Sequence, residues 1–77
     1  MPTIIEVKPL ENFILWVRYS DAVSGYINVK SFITGGISKA LLDEQYFKQV
    51  HIDEFGGICW DNGFDFCPNV VRDLITK

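Results

Sequence analysis

Apolar and polar residues alternate from the first residues onward. Ile5 and Val7 fall on one face of a strand over Thr3–Lys8, with Glu6 and Lys8 on the other. Pro9 cannot donate to a ladder and closes that strand, and Asn12 sits in the bend that follows. From Phe13 to Tyr19 the alternation is strong. Phe13, Leu15, Val17 and Tyr19 share a face, while Ile14, Trp16 and Arg18 share the other. A strand apolar on much of both sides is central, or has its second face covered. Ser20-Asp21 is a turn signal. A third strand runs from Val23 to Val29 with Ile27 and Val29 inward, and Gly25 marks a bulge or tight bend. Three strands joined by short turns predict an antiparallel meander.

The period then changes. Thr34-Gly35-Gly36 reads as a loop, and Ser38 as the N-cap of a short helix over Lys39–Leu42. Asp43 caps a second short helix, Glu44–Lys48, with Tyr46 and Phe47 packing down. Neither helix is long enough to stand without tertiary packing. Gln49–Asp53 alternates again with Val50 and Ile52 inward, and Gly57–Trp60 forms a strand. Asn62-Gly63 predicts a type I′ hairpin returning through Phe64-Asp65-Phe66. Pro68 suits the first position of a terminal helix reaching about Ile75. The order predicts an α+β fold: a strongly curled antiparallel β-meander with short helices and a C-terminal helix.

Length narrows this to one domain, residues 1–77, since domains rarely split below roughly 100 residues. With 48% hydrophobic and 22% charged residues, the chain is neither disordered nor low-complexity. The formal net charge is −3, and no two of the seven basic residues are adjacent. A nucleic-acid surface needs a basic stripe to neutralise phosphates, so direct binding to nucleic acid is not expected. Apolar runs such as Phe13–Val17 are far shorter than the ~18 residues needed to span a bilayer, so no membrane association is expected. Nothing after Met1 resembles a secretory leader, and the expected location is cytoplasmic. Cys59 and Cys67 read as reduced thiols that pack as small apolar fillers.

The string Trp60-Asp61-Asn62-Gly63-Phe64-Asp65-Phe66-Cys67-Pro68 resembles the bacterial family of domain of unknown function 2442. The opening Ile5-x-Val7-x-Pro9-Leu10 and the segment Leu42–Val50 fit the same pattern, so the similarity runs from about Ile4 to Leu74. Asp61 stands where many members carry proline, and the Ser20-Asp21-Ala22 turn lacks an expected glycine. The resemblance implies a small α+β unit with no catalytic residues to carry over. Some members are fused to a C-terminal helix-turn-helix, and stand-alone members are often encoded beside another short protein, as antitoxin-like partners. No helix-turn-helix lies within residues 1–77.

Candidate chemistry is sparse. His51, Cys59, Cys67 and Asp65 lack the close ligand spacing of a zinc site, so no metal or other cofactor is expected. Cys67, just before a helix start, could pair with His51 as a thiolate and base, with Asp65 beside them. That is the alternative reading, a small enzyme or ligand-binding domain. Against it, Asp65 fits better as a structural hydrogen-bond acceptor for loop or helix N–H groups. The glycines before Lys39 lack phosphate-loop spacing. Trp16, Tyr26 and Trp60 remain as partner-contact candidates. If no helix covers the face bearing Trp16 and Tyr26, they form an interface; if the C-terminal helix covers it, they belong to a second core. The expectation is a non-enzymatic protein-interaction domain, antitoxin-like, with a protein partner or a second copy as a homodimer.

Overall fold

The computed structural model describes residues 2–75. Strands β1 (Ile4–Pro9), β2 (Ile14–Tyr19) and β3 (Ser24–Asn28) form an antiparallel sheet in the order β1-β2-β3. Val29–Phe32 and Gly36–Leu42 are tight 3₁₀ turns, and helix α1 (Glu44–Phe47) is a single turn. Strands β4 (His51–Ile52), β5 (Ile58–Cys59) and β6 (Asp65–Phe66) form a second antiparallel sheet, and helix α2 (Pro68–Ile75) follows. The fold is α+β.

The single strongly curled meander expected from the sequence does not form; the strands divide between two small sheets. After β3 the chain turns away through 3₁₀ and helical segments before β4 begins. The three later strands are two residues long each. Sheet 1 meets the β4–β5 loop through a backbone bond, Ile4 N–H donating to Gly56 O at 2.9 Å. A ladder that short does not propagate one continuous curvature.

In β2 and β3 the inward positions follow the alternation; in β1 the register shift between Ile4 and Glu6 buries Ile4 and leaves Ile5, expected on the Val7 face, exposed. Leu15, Val17, Tyr19 and Ile27 from sheet 1 pack with Leu41, Phe47, Ile58, Trp60, Phe66 and Val71. Helix α2 lies on this inner face. The close approach occurs at Gly25, where a β-carbon would come within 2.7 Å of Ile75 Cβ. Gly25 is therefore a helix-packing position rather than a bulge, because it pairs in register with Val17. The Tyr19 hydroxyl donates to Pro68 O at 2.6 Å, and the Arg72 guanidinium sits 4.8 Å from the Tyr19 ring centroid. These contacts pin the start and middle of α2 beneath β2 and β3.

Two local expectations change. Ser38 is buried inside its 3₁₀ turn, where its hydroxyl accepts from Thr34 and Gly35 N–H and donates to Gly35 O. It ties the glycine loop shut instead of capping from outside. In the last hairpin only Gly63 takes a positive φ (94°), and Asn62 does not, so the turn is not type I′. Trp60 N–H donates to Phe64 O across a three-residue loop, the arrangement that needs one left-handed residue.

Candidate interaction surface

Because α2 occupies the inner face of sheet 1, the outer face stays open. Register places Lys8, Trp16 and Tyr26 in one row across β1, β2 and β3. Tyr26 is 65% exposed and Trp16 is half-buried by its neighbours. The Lys8 ammonium lies 5.3 Å from the Trp16 ring centroid, a cation–π distance. The next row, Glu6, Arg18 and Ser24, is polar. Arg18 donates from Nε and Nη2 to Glu6 Oε1 at 3.1 and 3.0 Å, and Lys8 Nζ lies 3.3 Å from Glu6 Oε2. Hydrogen bonds from Arg18 first, then Lys8, hold the Glu6 carboxyl below its ordinary pKa. The surface is thus an aromatic row with an ion-paired border, the composition of many protein interfaces.

Trp60 is not part of it. It is 2% exposed, and its indole N–H donates to Phe47 O at 3.0 Å. Its ring packs among Phe47, Phe64 and Phe66. A buried tryptophan with its one donor satisfied is a core residue, so Trp60 offers no contact to a partner. Phe55, in the β4–β5 loop, is 76% exposed.

The second sheet collects other candidates. His51, Cys59 and Asp65 form a cross-strand row. The histidine meets Cys59, not Cys67: Cys59 Sγ lies 3.2 Å from His51 Nε2. Nδ1 of the same ring is 3.3 Å from Gln49 O. With the proton on Nδ1, Nε2 accepts from the Cys59 thiol. Burial, and then the charges of Asp53, Asp65 and Asp61, push the Cys59 thiol above its ordinary pKa. A nucleophilic cysteine needs the opposite shift. Cys67 follows β6, on the far side of β5 from His51, so the expected Cys67–His51 pair is not assembled. Asp65 is exposed, and no hydrogen bond reaches its carboxylate among the described residues. The structural role expected of it belongs to Asp53, whose Oδ1 accepts from Phe55 and Gly57 N–H at 2.8 and 3.0 Å. No group of three metal-ligating side chains comes together among the described residues.

One cleft was not legible in the sequence. About 580 Å³ in volume, it is lined by Pro9, Leu10, Glu11, Asn12, Phe13, Glu44, Phe47 and Lys48. Asn12 and Phe13 both adopt left-handed backbone there (φ 60° and 61°). Asparagine tolerates that region, phenylalanine does so at a cost, and the Phe13 ring makes a T-shaped contact with Phe47. The cleft sits at the β1–β2 turn.

Compared with known families, residues 4–77 match the model described as protein of unknown function (DUF2442). The chain belongs to the DUF2442 family. No curated protein and no solved structure matches it. The DUF2442 description brings no reaction or ligand to either sheet. No helix among the described residues is long and apolar enough to cross a membrane.

Proposed function

We propose that this DUF2442 chain is a non-enzymatic, cytoplasmic protein-interaction domain that presents the outer face of sheet 1. One observation carries the reading: α2 seals the inner face and leaves Tyr26, 65% exposed, beside Trp16 and Lys8 with nothing packed over them among the described residues. Tyrosine and tryptophan supply large apolar area at small entropic cost, and such residues dominate interface energetics. The open face also carries the Glu6–Arg18–Lys8 cluster, which supplies polar matching at the border. The antitoxin-like reading is the finer form of this proposal, with the protein encoded next to this chain as the partner.

The test is co-expression of the chain with that neighbouring protein and affinity capture through a tag on the chain. Retention of the neighbour by the native chain, with loss in the Trp16→Ser/Tyr26→Ser double variant, is the expected result. Capture that is absent with the native chain, or unaffected by the double substitution, overturns the proposal.

A further inference from the structure

The two edges of sheet 1 are unlike. On the β1 edge, the Leu10 N–H to Ile14 O bond sets the hydrogen-bonding parity with β2, leaving Val7 and Pro9 backbone groups outward. Pro9 has no N–H to offer. A register shift between Ile4 and Glu6 bends the strand, and Ile4 N–H is spent on Gly56 O. Proline, a bulge and a covering contact are the devices by which proteins blunt an edge.

The β3 edge has none of them. The Tyr19 N–H to Val23 O bond sets parity there, so the hydrogen-bonded partners of β2 are Gly25 and Ile27. Ser24 and Tyr26 therefore aim their N–H and C=O groups outward, as Asn28 does its N–H, while the Asn28 C=O opens the 3₁₀ turn Val29–Phe32; all three side chains are exposed. No described residue outside the sheet bonds to the Ser24 and Tyr26 groups. The strand Ser24-Gly25-Tyr26-Ile27-Asn28 contains no charge and no proline. It is open, regular and uncharged.

We propose that β3 pairs with β3 of a second copy of this chain, antiparallel about a two-fold axis at Tyr26, joining two three-stranded sheets into one. The proposal rests on reading this side of sheet 1 as an interaction surface, and it names the occupant of its rim. Three features select a second copy. With the axis at Tyr26, the two Tyr26 residues exchange both backbone bonds and the Asn28 N–H meets the Ser24 C=O of the other copy. Identical strands bring identical charges together, and β3 carries none to repel. The Lys8–Trp16–Tyr26 row continues without interruption into its symmetry mate. Helix α2 packs under β3, so the two α2 helices approach each other beneath the joined sheet. Closed two-fold pairing also removes the exposed edge that otherwise invites open-ended aggregation.

Light scattering coupled to size exclusion, over a range of loading concentrations, reads the outcome. The native chain moves to twice its monomer mass as concentration rises. A Ser24→Lys/Asn28→Lys variant sets like charges opposite each other and remains monomeric, as does Ser24→Glu/Asn28→Glu. Mixing the two restores the doubled mass. Amide exchange supplies a second readout that needs no substitution: Tyr26 N–H becomes protected as the native chain is concentrated. A native chain that stays monomeric throughout overturns the inference, as does a dimer in which Tyr26 N–H stays unprotected or the lysine variant keeps its mass. Capture of the neighbouring protein by a strictly monomeric chain leaves the proposed function standing while this inference falls.

Discussion

The aromatic residues show how little a side chain's type says about its place. Trp16 and Trp60 both lie in or beside strands, yet one stands on the open face of sheet 1 and the other at the centre of the core. Trp60 is set apart by the rings of Phe47, Phe64 and Phe66 around it and by a hydrogen bond. The carbonyl at the end of α1 receives the Trp60 indole N–H, so the ring is buried without an orphaned donor. Trp60→Phe removes that bond and some packing. We expect it to lower unfolding free energy by about 1–3 kcal/mol, read as a fall in the urea midpoint with little change in slope. An unchanged midpoint contradicts the role given to the indole. The thiols illustrate the same point: the alternation that points His51 outward does not say which cysteine it meets, and the register of β4 with β5 decides for Cys59.

Among the elements, α2 is the one whose bounds follow directly from local signals. Pro68 opens it, and Val71, Leu74 and Ile75 lie on its packed side. Its docking depends on Gly25 of β3, a residue that reads in sequence as a bulge or bend. Gly25→Ala places a methyl group against Ile75. Overpacking of this kind costs about 1–3 kcal/mol. The expected outcome is a lowered thermal midpoint, read by differential scanning calorimetry. An unchanged midpoint shows that the docking of α2 does not depend on the missing Cβ. The short 3₁₀ turns and two-residue strands have no strong local period, which is why their bounds were only roughly legible.

For the whole molecule, pH probes the contacts that join distant segments. Arg72 donates to Asp21 at 2.8 and 3.1 Å, and that hydrogen bonding holds the Asp21 carboxyl below its ordinary 3.8; Glu6 is held below 4.5 by Arg18 and Lys8. A lowered carboxyl binds fewer protons folded than unfolded, so its contribution is full above the ordinary value and fades as pH falls through the folded value. Both pairs are solvent-exposed, so the effect is small and screened by salt. Tyr19 acts at the other limb. Burial pushes its hydroxyl up to about 12 from 10. Its stabilising contribution is full below pH 10 and is lost as pH rises towards 12, since the unfolded chain gives up the proton first. Denaturant titrations should show stability declining over that alkaline range, with the decline attenuated in Tyr19→Phe. An equal decline in that variant assigns it to other groups.

By itself, the chain determined the α+β class, the three-strand meander, the inward set Leu15, Val17, Tyr19 and Ile27, and the terminal helix. Each is a local matter of period, turn chemistry and proline position, written in neighbouring residues. The Trp-to-Pro string likewise carried the family. Only the tertiary structure decided that there are two sheets, that Trp60 is core while Trp16 and Tyr26 are surface, that His51 meets Cys59, and that a cleft opens beside Phe13. These depend on which side of sheet 1 the last helix takes and on how hydrogen bonds pair residues far apart in the chain. Burial is a property of the assembled neighbours, and no window of sequence contains them.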